Sequence, residues 1–288
     1  MAASPGHKFG QMIGNLLEEI VEPVLLGFCE ERGYFLDKKG IRIGARKGKK
    51  LSWEDKYGNS HDLDFVIERS ESGEDIRRPL AFVEVAWPRY TKHSRNKAQE
   101  IQGAVLPISE KYVWDKPFLG AILAGVFTAP SLQQMRSVGF EVLYFPYETI
   151  CGAFAAVDVD VAFGEQTSDT ELQNIIRRVE ALTDMQRSAV KANLQTANAA
   201  AITDFLERMR KALDRAIKRV MVIPLHGTGQ DFRSMAAAAQ FVESYAEDGA
   251  GGPFRKYEVI AEFTNGDRIQ GEFASKAQAL RFLEYVST

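Results

Sequence analysis

The chain has 288 residues, 45% of them apolar and 26% charged, so it has enough apolar material for a sizeable core. A net charge of -3 excludes a uniformly basic surface, and any nucleic-acid partner would need a local basic patch. The two cysteines, Cys29 and Cys151, exclude a disulfide framework; with no apolar leader and no run near the ~18 residues of a membrane span, a cytoplasmic protein with no membrane association is expected.

The spacing of Phe9, Ile13, Leu16, Ile20 and Val24 predicts a helix over 8–32, ended by Gly33, with Pro23 as a possible kink. Residues 40–50, GIRIGARKGKK, read as a short strand running into a basic, glycine-rich loop. DLDFVIE (62–68) and AFVEVAW (81–87) read as two strands carrying acid where apolar side chains belong, with a solvated loop between them. A helix follows over 94–107, with Ser94 as its N-cap. LGAILAGVF (119–127) reads as a central strand covered on both faces. TAPSLQQMRSVG is a helix with Pro130 in its first turn and Gly139 at its end, and FEVLYFPY (140–147) is another strand.

Residues 169–218 read as helical. The alanine-rich stretch 188–202 is short of large apolar groups and suggests a connecting arm. Beyond 219, a strand (VMVIPL), a helix (232–247), a hairpin and a last helix (275–286) make a small α+β unit. Asn265-Gly266 predicts a type I′ turn in the hairpin. No internal repeat is evident. The expected division is 1–165, a helical connecting region 166–218, and a C-terminal module 219–288.

Alternation along a strand puts Asp62 and Asp64 on one face, and Glu84 on a face with Ala86. A buried carboxylate costs several kcal/mol unless it is paired or binds a cation. Phe65, Val66, Phe82 and Val83 argue against full exposure. Asp64 and Glu84 on neighbouring strands therefore suggest an oxygen-ligand site for Mg2+ or Mn2+. Asp62 is better explained as a strand terminator than as a ligand. His61 and His93 flank the pair and read best as loop histidines. Arg42, Arg46, Lys47, Lys49 and Lys50 form the best basic patch, a weak nucleic-acid-binding candidate that a solvated loop explains as well. HGTGQ (226–230) lacks the Lys-Ser/Thr of a phosphate loop.

The order of elements over about residues 8–150 resembles the PD-(D/E)XK nuclease superfamily, whose fold is restriction-endonuclease-like. There an Asp opens one strand of a hairpin and a Glu-x-Lys tripeptide sits on the next. DLDFVIE supplies Asp64 and VEVAW supplies Glu84. The resemblance implies an α/β restriction-endonuclease-like core, with a central mixed sheet flanked by helices. It also implies Mg2+- or Mn2+-dependent hydrolysis of double-stranded DNA, of restriction or defence type, by a homodimer. The family lysine is replaced by Ala86. Lys97 is the proposed substitute, on the following helix beside Ile101, Ala104 and Ile108; Lys92 and Arg95 are weaker ones. Some members bring a Glu from the first helix to the metal. Periodicity favours Glu19 for this role, and the family pattern matched to LEEIV favours Glu18. The rival reading, carried by Ala86, is an inactive nuclease-fold protein that binds DNA or serves assembly.

Overall fold

The structure, a computed structural model, describes residues 4–70, 72–88, 91–164, 166–225, 227–248 and 253–287, excluding the side chains of 91–93. It divides into two compact units. One comprises Met1–Lys111 with Pro117–Met209. The other comprises Tyr112–Lys116 with Arg210–Thr288.

The first unit begins with α1 (Pro5–Glu30), capped by Ser4, whose hydroxyl accepts the His7 N–H. Its buried face includes Phe9, Ile13, Leu17, Ile20, Val21 and Leu25. Phe9, Ile13 and Ile20 fall where spacing puts them, whereas Leu17, Val21 and Leu25 turn the stripe by one residue from Leu16 and Val24. The chain continues through β1 (Phe35–Lys38), the hairpin β2 (Ser52–Glu54) and β3 (Ser60–Asp62), then β4 (Phe65–Glu68) and β5 (Pro79–Ala86). It then runs through α2 (Thr91–Lys111), β6 (Phe118–Gly125), α3 (Ala129–Ser137), β7 (Phe140–Pro146) and α4 (Tyr147–Ala155). α5 (Asp169–Glu180), α6 (Asp184–Ala197) and α7 (Ala199–Leu213) follow.

Five strands form one sheet in the order β1-β4-β5-β6-β7. β1, β4 and β5 pair antiparallel, whereas β5, β6 and β7 pair parallel. Parallel neighbours need crossovers, which α2 and α3 supply. β6 is a continuous apolar run because both its faces are covered. This is an α/β fold with a central mixed sheet flanked by helices.

Several expectations change. Residues 40–50 hold no strand; the strand is β1, at 35–38. DLDFVIE is two segments: Asp62 ends β3, which pairs with β2, and Phe65 starts β4, which pairs with β5. Buried Leu63 separates them, its N–H donating to Leu51 O at 2.8 Å. Ser94 lies inside α2, buried and 3.3 Å from the Ser131 hydroxyl, so it does not cap the helix. The helices at 169–209 are not a free arm. α5 packs on α1, α6 on α4, and Phe205 of α7 meets Phe118 of β6 edge-on at 5.5 Å. The divisions at 165 and 218 are therefore replaced by one near 209, and the segment 112–116 belongs to the second unit.

In the second unit, Trp114 packs edge-on against Phe273, Phe282 and Tyr285. Its sheet has the order β11-β10-β8-β9 and is fully antiparallel, built from β8 (Ile217–Pro224), β9 (Gln230–Phe232), β10 (Tyr257–Phe263) and β11 (Arg268–Phe273). α8 (Met235–Ser244) and α9 (Lys276–Ser287) pack together and join its core. The unit is a tandem ββα repeat, contrary to the expectation of none. DFRSMAAAAQFVE (231–243) matches EFASKAQALRFLE (272–284) at Phe232/Phe273, Ser234/Ser275, Ala238/Ala279, Phe241/Phe282 and Glu243/Glu284. The hairpin turn is not type I′, which needs positive φ at both central residues. Here Gly266 has φ 90° and Asn265 does not share it. Instead the Asn265 side chain accepts the Asp267 N–H at 3.0 Å.

Candidate active site

The β4–β5 ladder runs to Phe65 opposite Val83, and the next opposed pair is Asp64 and Glu84. Here the side chains take over from the backbone. The Asp64 N–H donates to Glu84 Oε1 at 3.2 Å, and the Val85 N–H donates to Asp64 Oδ2 at 2.8 Å. The two carboxylates are thereby locked on one face of the sheet, above buried Val66 and Phe82. Among the described residues neither forms an ion pair, and one oxygen of each has no hydrogen bond.

This arrangement perturbs both acids. Burial raises the pKa of Glu84 to about 8, and the Asp64 charge adds to that effect. Asp64 is raised as well: burial is the largest cause, the Val85 N–H opposes it, and Glu18 adds to it. Lys97 acts on both carboxyls in the opposite direction.

Glu18, not Glu19, is the acid of α1 that reaches this field. Its side chain is 21% exposed and pairs with Lys39 at 2.5 Å. Glu19 is 61% exposed and pairs with Lys191 at 3.3 Å. The rotation of the α1 stripe toward Leu17 and Val21 is the cause. Asp62 is also outside the site: it is exposed on β3, bound by Lys50 and the Ser52 hydroxyl, each at 2.5 Å. The two-residue alternation from Asp62 to Asp64 fails because the strand breaks between them.

Lys97, on α2, pairs with Glu100 at 2.5 Å and is about half exposed. It lines a cavity of about 550 Å³ together with Ala86, so the room left by the missing lysine is shared with it. Arg95 is exposed on α2, and the Lys92 and His93 side chains lie outside the described residues. His61 serves a turn: its Nε2 lies 3.0 Å from Asp55 Oδ2, and Asp55 accepts the Tyr57 and Asn59 N–H groups.

The basic loop divides in two. Arg42 is buried: Nη1 meets Asp37 Oδ2 at 2.6 Å and Glu68 Oε1 at 2.5 Å, and Nε and Nη2 reach the Gly73 and Asp75 carbonyls. Arg46 also bonds Asp37, at 2.5 Å. Neither arginine faces a phosphate backbone; they pin the loop to the sheet. Lys47, Lys49 and Lys50 remain exposed, as do Ile41 and Ile43.

Among the described residues no three His, Cys, Asp or Glu side chains form a ready-made metal cluster. Mg2+ asks for less: it keeps several waters and is commonly held by one or two carboxylates. Two adjacent carboxylates, each with an uncommitted oxygen and no paired cation among the described residues, fit that demand.

No protein-family model matches the chain, and no curated protein matches it. A crystal structure of a protein of unknown function, AF1548, is similar at 10% identity over 69% of this chain and 95% of that chain, with a TM-score of 0.29. A likeness at that score carries no argument about fold or activity. Among the described residues no helix is long and apolar enough to cross a membrane.

Proposed function

We propose that the protein is a divalent-metal-dependent DNA endonuclease with a restriction-endonuclease-like core, of restriction or defence type, acting in the cytoplasm as a homodimer. The observation that carries the reading is the Asp64–Glu84 pair, interlocked at the end of β4 and β5 with no cation paired to it among the described residues. The sheet order, two antiparallel pairings followed by two parallel ones, supports it. Asp64 and Glu84 would hold Mg2+ or Mn2+. Such an ion, when bound, supplies an activated water and offsets charge developing on a phosphate. Lys97 lines the same cavity as Ala86; released from Glu100, it would bring its ammonium into the space beside Ala86 and there orient the nucleophile and the scissile phosphate. Glu18 adds negative charge to the site and anchors Lys39.

Incubating supercoiled plasmid with the protein and Mg2+ tests this. Wild type is expected to cut, Glu84→Ala to lose cutting, and Lys97→Ala to fall ~10²–10⁴-fold, as for a lost proton-transfer or charge-stabilising group. Cutting by Lys97→Ala at the wild-type rate removes the lysine from the reaction. No cutting by wild type on duplex DNA or on RNA favours the second reading, an inactive DNA-binding or assembly subunit. The observations behind that reading are Ala86 and the Lys97–Glu100 pair.

The loop lysines carry a separate expectation. Each of Lys47→Ala and Lys49→Ala should weaken duplex binding equally for all sequences and lower the salt slope by roughly one. A titration against NaCl measures it, and an unchanged slope in the double variant removes the loop from the interface.

A further inference from the structure

The sheet of the second unit ends on two unlike edges. β9, at one edge, has three residues, Gln230–Phe232. β11, at the other, has six, Arg268–Phe273, with no proline and in unbroken register with β10. An edge of that length offers a row of backbone donors and acceptors to another strand. The hairpin decides which groups are offered. The Phe263 N–H donates to Asp267 O at 2.9 Å, so Asp267, Ile269, Gly271 and Phe273 turn their N–H and C=O toward β10. Those of Arg268, Gln270 and Glu272 therefore point out from the edge. The side chains of the same three residues share one exposed face, while Ile269 and Phe273 lie in the core.

The charges on that face are incompletely matched. Arg268 stands opposite Glu262, but Glu262 is already paired with Arg219 of β8 at 3.0 Å, and Arg268 forms no ion pair among the described residues. At the other end of β11 two acids, Glu258 and Glu272, stand directly opposite each other. Like charges so placed are destabilising. Lys256 pairs with Glu272 at 2.5 Å, and Glu258 forms no ion pair among the described residues. β11 thus carries an unmatched cation at one end and an under-compensated pair of acids at the other, with Gln270 midway.

We propose that β11 pairs antiparallel with β11 of a second copy of this chain, around a two-fold axis at Gln270. In that register Gln270 opposes Gln270, and Arg268 of each copy opposes Glu272 of the other. Every outward-pointing backbone group of the three residues then finds a partner, because residues opposed in this way exchange both of their N–H···O bonds. Each Arg268 also enters the field of the two acids. A register moved to either side sets a charge against Gln270 and leaves Arg268 or Glu272 unmatched. The contact is isologous, so each favourable pair occurs twice. Trp114, 37% exposed, packs edge-on against Phe273 and leaves apolar surface beside the same strand. This surface gives the homodimer of the nuclease reading its place on the chain, and it does not depend on DNA cleavage. A strand edge is smaller than a standard interface, so a Kd on the order of 10–100 μM is expected.

Sedimentation equilibrium of the full chain over roughly 1–300 μM spans such a Kd and tests the surface. Wild type is expected to dimerise. Glu272→Arg sets arginine against arginine across the seam, and Arg268→Glu sets acid against acid; each should raise Kd by about tenfold or more. The double variant restores opposite charges and should return close to the wild-type Kd. Within its own hairpin Glu272→Arg faces Glu258, so its melting midpoint should not fall, and recovery in the double variant separates lost pairing from lost folding. A wild type that stays monomeric throughout, single variants that dimerise like wild type, or a folded double variant that stays monomeric overturns the surface. The plasmid assay keeps the two ideas apart. A protein that never cuts, yet whose dimer follows the charge swaps, keeps the surface and discards the nuclease. A protein that cuts, but whose sedimentation ignores both swaps, keeps the nuclease and discards the surface.

Discussion

Glu84→Gln is expected to make the metal-free protein more stable above neutral pH and to remove most of its response to Mg2+. Burial beside Asp64 lifts the Glu84 pKa from its ordinary 4.5 to about 8, so folding favours the protonated acid. The sign follows from linkage. The contribution of a raised acid is fully present below about 4.5, is lost as pH rises, and is gone above about 8. At ~1.4 kcal/mol per pH unit the loss is on the order of 5 kcal/mol as an upper bound. Asp64 is shifted in the same direction and adds to it. An amide removes the ionisation, so the pH dependence of urea unfolding should flatten between pH 5 and 9. A bound divalent ion reverses the penalty in wild type: at a hundredfold excess over Kd it stabilises by ~2.7 kcal/mol. Equal slopes for wild type and Glu84→Gln, or equal Mg2+ stabilisation of both, would remove the acid pair as the seat of the charge.

Arg42→Met should destabilise the protein by ~3–5 kcal/mol, the usual result of removing one partner from a buried ion pair. Arg42 is 5% exposed at its side chain, and its partners Asp37 and Glu68 are 4% and 0% exposed. Without it, Glu68 keeps only the Arg77 N–H, at 2.6 Å, among the described residues. Asp37 keeps Arg46 and the Lys38 N–H. The loop that carries Lys47 and Lys49 would also lose its bonds to the Gly73 and Asp75 carbonyls. Urea unfolding measures the stability. DNA binding at a temperature where the variant is still folded measures the loop. A destabilisation under 1 kcal/mol would mean that water enters and satisfies the carboxylates.

How much of this was legible depended on whether a residue's partners were close in sequence. Helices and the apolar strand β6 were readable because their periods are local. The acids Asp64 and Glu84 stood out because charge interrupted two apolar runs. DLDFVIE misled, since alternation alone cannot show that Asp62 pairs with Ser52 while Phe65 pairs with Val83. The basic loop misled for the same reason. Charge pattern suggested solvent or phosphate, but Arg42 is neutralised by Glu68, 26 residues away. One local signal was present and unread: the FxSxxxAxxF pattern shared by the two ββα halves.

From sequence alone came the α/β class, the positions of most helices, and the two acids on neighbouring extended segments. Side-chain period and local charge encode those things within a few residues. Only the tertiary structure decided that Glu18 rather than Glu19 approaches the acids, that Arg42 and Arg46 are internal, and that the helices at 169–209 belong to the first unit. Each of those depends on helix rotation or on a contact between distant segments, and packing the whole core sets both.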